Sequence, residues 1–307
     1  MSELASKRDR EDVVIRSSFA NLWLEMRPKQ WVKNLTVLAP LLFAQQLGNP
    51  IAVEYALIAC GLFCLTSSSI YLLNDIQDRE QDRLHPQKCH RPLASGQLSV
   101  GMALGAMGVL AITAMTIGFF LNFRLVLVLI SYWLLNVLYT LWLKHQVILD
   151  VFIVAAGFVL RVIGGAVVLA VEISDWLLLC TSLLALFLGF SKRRHELLLL
   201  KEDAGTHRRV LGEYDPQFLD MMIGVVTAST VMCYALYTVS DETVQKFHTR
   251  GLLATSPFVL YGIFRYLYLV YHKDLGGDPT HILLSDRPLI GNLVLWALTV
   301  IVILYWQ

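Results

Sequence analysis

Long apolar runs divided by short polar ones recur along the whole chain, at roughly 31–47, 51–73, 101–121, 124–143, 147–171, 174–191, 217–239, 252–272 and 288–306. Each approaches or exceeds the ~20 residues a helix needs to cross a hydrocarbon core, so the pattern predicts an all-α membrane protein of about nine transmembrane helices. The first run is the least regular, because Lys33, Asn34 and Pro40 interrupt it. The third and fourth runs are divided only by residues 122–124, which predicts a tight helical hairpin. Ahead of the first run, Phe19, Leu22, Trp23 and Met26 fall at helical spacing beside Arg27 and Lys29, a pattern that suits a short helix lying in the interface. Residues 1–18 are polar and mixed in charge and lack the apolar stretch of a signal peptide; they read as a flexible cytoplasmic tail. Residues 19–307 then form a single transmembrane domain.

Composition agrees with a chain whose main solvent is lipid. Hydrophobic residues make up 56% and charged residues only 16%, with a mean hydropathy of +0.58, whereas soluble domains carry roughly 25% charge. The net charge of +1 hides a separation. With the N-terminus inside, the cytoplasmic segments hold 20 basic residues and the opposite side holds 3, namely Arg124, Lys246 and Arg250. That positive-inside bias predicts an inner-membrane protein with the polar segments 74–100 and 192–216 in the cytoplasm and Gln307 in the periplasm. Those segments follow the second and sixth spans, a separation that hints at a duplicated four-helix unit. Of the five cysteines, four sit in apolar runs and none forms a paired metal-type spacing, so neither a disulfide scaffold nor a zinc site is expected.

Candidate chemistry concentrates in Asn74-Asp75-Ile76-Gln77-Asp78-Arg79-Glu80-Gln81-Asp82. If the second helix continues through it, Asp75, Asp78 and Asp82 fall at i, i+3 and i+7 on one face. Carboxylates that close repel one another unless a cation lies between them, and hard oxygen donors suit Mg²⁺ shared with substrate phosphate. A solvated acidic loop is the alternative. Downstream, Lys88 and Arg91 stand in a Lys-x-His-Arg-Pro cluster, placed to take the oxygens of a diphosphate that the metal leaves free. Within the fifth span, Asp150 and Arg161 lie about three turns apart on nearly one face; a charge at such a position normally faces a cavity or a partner, and a structural ion pair is the simpler reading.

The pattern Asn74-Asp75-x-x-Asp78-x-x-x-Asp82 followed by Lys88, Arg91, Pro92 and Ser95-Gly96 resembles the first signature of the UbiA superfamily of intramembrane prenyltransferases. That resemblance implies nine helices around a central cavity over nearly the whole chain. Further segments resemble the decaprenyl-phosphate phosphoribosyltransferase branch: Arg27-Pro28-Lys29-Gln30-Trp31-Val32-Lys33-Asn34, Tyr139-Thr140-Leu141-Trp142-Leu143-Lys144, Leu149-Asp150-Val151-Phe152, Gly157-Phe158-Val159-Leu160-Arg161 and Lys192-Arg193-Arg194-His195-Glu196-Leu197. Where aromatic-acceptor prenyltransferases carry a second aspartate-rich motif, this chain reads Ser191-Lys192-Arg193-Arg194-His195-Glu196. A cationic cluster suits an anion that arrives without its own metal, such as a lipid monophosphate.

The resemblance therefore implies transfer of 5-phosphoribose from 5-phosphoribosyl 1-diphosphate to a polyprenyl (decaprenyl) phosphate, in the making of cell-wall arabinan precursors. Mg²⁺ on Asp75, Asp78 and Asp82, oriented by Asn74, would hold the departing diphosphate. Lys88 and Arg91 would grip donor phosphates. Lys29, Lys33, Lys144, Lys192, Arg193 and Arg194, with Tyr139, are candidates for the lipid phosphate or the ribose 5-phosphate, and Asp150 and Arg161 for the substrate cavity. The expected partners are the two substrates and membrane lipid, with no nucleic acid; a homo-oligomer is left open. An aromatic-acceptor prenyltransferase is the competing enzyme reading, and the cationic loop argues against it. A transporter would place its polar groups near the bilayer midplane instead of at helix ends.

Overall fold

The computed structural model describes residues 18–84, 88–200, 209–273 and 275–306. The tail expected at 1–18 falls, apart from Ser18, outside the described residues, as do residues 201–208 of the second polar segment and Gln307. A short helix at 18–25 (α1) is followed by a 3-10 segment, Pro28–Leu38, and by α2 (Ala39–Phe43). The long α3 (Pro50–Gln77) bends at Asp78 into α4 (Arg79–Leu84), and α5 (Pro92–Ser95) closes that loop. There follow α6 (Val100–Leu121), α7 (Phe123–Leu141), α8 (Leu149–Leu169), α9 (Asp175–Leu200), α10 (Pro216–Val239), α11 (Asp241–Phe247), α12 (Ser256–His272), α13 (Pro279–Ser285) and α14 (Arg287–Tyr305).

Among the described residues, 8 helical stretches are long and apolar enough to cross a membrane: α3, α6 to α10, α12 with the turn before it, and α14. The chain is a multi-pass membrane protein. Its helix ends follow local chemistry. Asn49 caps α3 by accepting from the backbone N–H groups of Ile51 and Ala52, and Ser99 caps α6 through Met102. Asn122 ends α6 and starts α7, its side-chain oxygen accepting from Arg124 N–H at 2.8 Å, so the expected hairpin turns on a single residue.

The first apolar run takes a different form from the other eight. Its 11 residues of 3-10 helix rise about 2.0 Å each, or about 22 Å. The five α-residues of α2 add about 7 Å. Together they approach the ~30 Å thickness of a hydrocarbon core with fewer residues than an α-helix of that length needs.

A 3-10 helix eclipses every third residue, and here that face is Pro28, Trp31, Asn34, Val37 and Pro40. Asn34, Val37 and Pro40 are buried. Trp31 donates to Ser68 Oγ at 3.0 Å, and Asn34 donates to Cys64 Sγ and Ser67 Oγ, each at 3.2 Å, stitching the segment to α3. On the other side it lies hard against α8. A Cβ on Gly165 would meet the Val37 carbonyl oxygen at 2.0 Å, so only glycine permits that approach.

Two apolar cores are the largest of several. One joins α3, α7 and the far end of α8 around Phe63, Leu125, Leu129 and Tyr132. The other joins the near end of α8 to α9, α10, α12 and α13 around Phe187, Leu219, Tyr266 and Ile282. Helix α8 belongs to both and spans between the two halves. The charged residues at the ends of α3, α7, α8 and α9 gather where these halves meet.

Candidate active site

Asp75 is 1% exposed at the end of α3, and its carboxylate is covered by two guanidinium groups. Arg27 takes both oxygens, donating Nη2 to Oδ2 at 2.6 Å and also to Oδ1; Arg91 Nη1 donates to Oδ1 at 2.9 Å. Arg91 also reaches Asp82 Oδ2 at 2.6 Å, and Lys88 Nζ stands 3.9 Å from Asp82 Oδ1. Asp78, at the bend, accepts from Lys144 Nζ at 2.5 Å and from Asn74 Nδ2 at 3.1 Å. The aspartates share one end of α3 and α4 as the spacing predicts, and Arg27, Lys88, Arg91 and Lys144 relieve the repulsion between them. Among the described residues, no three His, Cys, Asp or Glu side chains converge into a metal cage.

Burial shifts several of these groups. The Asp82 carboxyl is pushed above the usual carboxylate range by burial, against the opposing pull of Arg91 and Lys88. Burial lowers the Lys88 ammonium, against the pull of Asp82. Burial also works to lower Arg27, but the carboxylate of Asp75 outweighs it and the net shift is upward. Glu25, at the end of α1, is pushed up to about 7 by burial and by the charge of Asp75. It is 2% exposed, and its Oε1 has no hydrogen-bond partner.

A second cluster has the opposite plan. Arg193, buried on α9, donates Nε to Asp150 Oδ2 at 2.5 Å, Nη2 to Tyr139 OH at 3.1 Å and Nη1 to Glu196. Tyr214 OH donates to the other Asp150 oxygen at 2.8 Å and accepts from Ile148 N–H at 2.6 Å. Ile148 pays for that contact with a φ of 69°, an outlier for a β-branched residue. Lys192 lies 3.7 Å from Glu196 and within electrostatic reach of Lys33 and Tyr139. Lys33, half-buried on the 3-10 segment, feels Asp278, Arg161, Arg27 and Tyr139 in turn. Next to it, Gln30 donates to Asp278 at 3.2 Å and accepts from Thr280, tying the segment to α13.

Three candidates lie elsewhere. Arg194 turns outward from Arg193, pairs with Asp220 on α10 and stacks 4.1 Å over the Tyr271 ring. It borders a groove of about 460 Å³ between α10 and α12, separate from the aspartates. Lys29 is exposed on the side of the 3-10 segment that carries exposed Leu35. Asp150 and Arg161 do not pair, since eleven residues of helix set them about 16 Å apart. Arg161 instead donates to Asn34 Oδ1 at 2.7 Å, Tyr132 OH at 2.6 Å and the Gly157 carbonyl at 2.9 Å, with its guanidinium 4.7 Å from the Tyr132 ring. It meets no carboxylate among the described residues.

Sequence reading overlooked Arg27, Glu25 and Tyr214 as members of these clusters. Arg27-Pro28 was visible as a pair, but the left-handed backbone that aims Arg27 at Asp75 (φ 55°, ψ 59°) has no signature in an arginine. Tyr214 lies 64 residues from Asp150, beyond any local spacing.

A family model described as the UbiA prenyltransferase family matches residues 34–280. A decaprenyl-phosphate phosphoribosyltransferase of Mycolicibacterium smegmatis is 34% identical over 92% of this chain and 92% of its own length. A protein of the same name from Corynebacterium glutamicum is 35% identical, over 91% of this chain and 85% of its own. Among solved structures, a UbiA homolog from Archaeoglobus fulgidus bound to GPP and Mg²⁺ superposes with a TM-score of 0.72 at 18% identity. That match covers 92% of this chain and 99% of that one and reflects a shared fold.

Proposed function

Since the chain belongs to the UbiA prenyltransferase family, we propose that it is a membrane transferase carrying 5-phosphoribose from 5-phosphoribosyl 1-diphosphate to a polyprenyl (decaprenyl) phosphate, with release of diphosphate. The observation that carries this reading is a pair of lysines, Lys33 and Lys192, within electrostatic reach of Tyr139 at the end of α9, where a second carboxylate motif would otherwise stand. The names of the M. smegmatis and C. glutamicum relatives point the same way. The 20-to-3 basic asymmetry supports a site on the cytoplasmic face, where a soluble sugar phosphate and a lipid phosphate can both reach it.

The donor set suits Mg²⁺. Asp75, Asp78 and Asp82 offer hard oxygens, Asp78 is the most open of them at 22% side-chain exposure, and the Archaeoglobus homolog was solved with Mg²⁺. These residues would hold the ion, which when bound supplies charge stabilisation to the departing diphosphate. Lys88, Arg91 and Lys144, now on the aspartates, are within reach of donor phosphates. Lys33 and Lys192 receive the acceptor phosphate. One of its oxygens forms the new bond to the anomeric carbon as the bond from that carbon to diphosphate breaks. That oxygen is already anionic at neutral pH, so no base has to take a proton. Asp150 and Tyr214 hold Arg193, and Arg193 holds Tyr139 in place. Catalysis then rests on positioning and on charge.

The test is a matrix of donors and acceptors with purified protein, with and without Mg²⁺. Product is expected from phosphoribosyl diphosphate with polyprenyl phosphate, and none in excess chelator. A comparable rate from a prenyl diphosphate with 4-hydroxybenzoate would overturn the assignment in favour of an aromatic prenyltransferase.

A further inference from the structure

Arg194 and Asp220 each use only part of what they can offer. Arg194 donates Nε to Asp220 Oδ1, and Tyr271 OH donates to that same oxygen at 2.6 Å. Among the described residues, no hydrogen bond uses the Nη groups of Arg194 or Oδ2 of Asp220. The pair sits near a helix end on both sides, Asp220 about one turn inside α10 and Tyr271 one residue from the end of α12. That is the depth at which lipid headgroups meet tyrosines. The Nη edge of a guanidinium is a fork for two phosphate oxygens, and the bare carboxylate oxygen beside it is an acceptor for an ammonium.

From this pair the seam between α10 and α12 runs into the membrane. It holds a groove of about 460 Å³ beside Asp220 and Tyr271 and another of about 370 Å³ farther along the same two helices. On α10 the lining steps from Asp220 through Gly224, Thr227 and Val231 to Ala235, at helical spacing on one face. Asp220 to Ala235 is about 22 Å of helix, more than the ~15 Å half of the hydrocarbon core that one acyl chain crosses. A Cβ on Gly224 would meet nothing within 4 Å, so the seam is open there. Thr227 Oγ1 is buried in this lining without a hydrogen-bond partner, about 10 Å of helix below Asp220, on the side where ester carbonyls follow a phosphate. Buried polar atoms are nearly always satisfied, and an exception calls for an explanation.

Independently of the transferase reading, we infer that this seam binds a membrane phospholipid whose zwitterionic head carries a primary ammonium, phosphatidylethanolamine. The Nη groups of Arg194 take its phosphate, Asp220 Oδ2 takes its ammonium, and an acyl chain lies along Gly224 and Val231. Charge complementarity selects that head. Phosphatidylglycerol brings the phosphate but sets no cation against Asp220, and phosphatidylcholine has no N–H to donate. A phosphate monoester such as a polyprenyl phosphate brings still more negative charge to the bare carboxylate oxygen.

The experiment is native mass spectrometry of the delipidated, detergent-purified full-length protein, titrated with these three phospholipids carrying identical acyl chains, for wild type, D220N, R194Q and G224L. Wild type should bind phosphatidylethanolamine about tenfold more tightly than either of the others, the scale of one charged hydrogen bond. D220N should erase that preference. R194Q should weaken all three lipids, and so should G224L, which leaves the charges in place and fills the groove. Equal binding of the three lipids by wild type overturns the inference, as does a preference that survives in D220N or binding left unchanged by R194Q or G224L. Tighter binding of phosphatidylglycerol would make this a site for anionic lipid and overturn it too. Polyprenyl phosphate serves as competitor: if it displaces phosphatidylethanolamine from wild type at equal concentration, the seam belongs to the acceptor and the inference falls. The transferase reading is decided separately, by product formation. Tryptophan-fluorescence melts check folding, and the wild-type preference decides even where a variant does not fold.

Discussion

The charged ends of α3 and α9 are built as electrical opposites. At the end of α3 the helix supplies carboxylates, Asp75, Asp78 and Asp82, and the cations come from elsewhere: Arg27 from the N-terminal segment, Arg91 and Lys88 from the loop, Lys144 from the end of α7. At the end of α9 the helix supplies cations, and Asp150 and Asp220 come from α8 and α10, with Glu196 from α9 itself. The two also differ in depth. Arg193 and Asp150 are 4% and 0% exposed, whereas the cations on Asp75 and Asp82 are a quarter or more exposed. Charges with access to water can change partners, and charges without it are fixed. The first end is therefore suited to exchange its cations for the proposed substrate and metal, and the buried Arg193–Asp150 pair of the second to hold a shape.

The largest effect that follows is on the exchangeable end. Asp78→Ala removes the most open carboxylate and should abolish turnover, while the thermal midpoint in detergent stays within a few degrees of wild type. Retained activity in that variant would erase the functional half of the contrast. The fixed end should behave in the opposite way. Arg193→Ala leaves Asp150 buried without its cation, a loss of about 3–5 kcal/mol when one member of such a pair is removed. Chemical-denaturant melts in micelles measure this, and a variant as stable as wild type would mean that the Asp150 pair is not structural.

These contrasts bear on what could be read from residue order. The spans were legible because lipid imposes a length and a composition, and the aspartates were legible because helical spacing puts them on one face. The first span was misjudged in form for a physical reason. Its contacts repeat every three residues, from Pro28 through Trp31, Asn34 and Val37 to Pro40, and a 3.6-residue period scatters them. Partners were the least legible feature. Asp150 and Arg161 share a helix face, yet Asp150 is matched by Arg193, 43 residues away, and Arg161 by Asn34, 127 residues away. Reading Lys192, Arg193 and Arg194 as one phosphate cluster likewise assumed that neighbours in sequence point together. On a helix they fan out by about 100° each, which sends Arg193 inward to Asp150 and Arg194 outward to Asp220.

A smaller effect is expected at Lys192, which at 41% side-chain exposure holds Glu196 only loosely. Lys192→Ala should raise the KM for polyprenyl phosphate about tenfold and leave stability nearly unchanged, as loss of one charged contact to substrate predicts. An unchanged KM would move the acceptor phosphate away from this end of α9 and leave Lys33 to bind it without help.

The smallest effect should come from Arg194, one residue from the most sensitive cation of the pair of clusters. Its partner Asp220 is 40% exposed, and such half-open pairs contribute about 0.2–1 kcal/mol. The stacking on Tyr271 adds about 0.5–1 kcal/mol at a site open to solvent. Arg194→Ala should therefore cost no more than about 2 kcal/mol of stability, less than Arg193→Ala in the same melts. It should also leave the KM for both substrates within about threefold of wild type, since its guanidinium lies on Asp220 and Tyr271, two residues that line the groove between α10 and α12, and not on Tyr139. A tenfold rise in the KM for the lipid would instead place that groove on the acceptor's path, and the end of α9 would then have two working cations, Lys192 and Arg194, where the proposal gives it one.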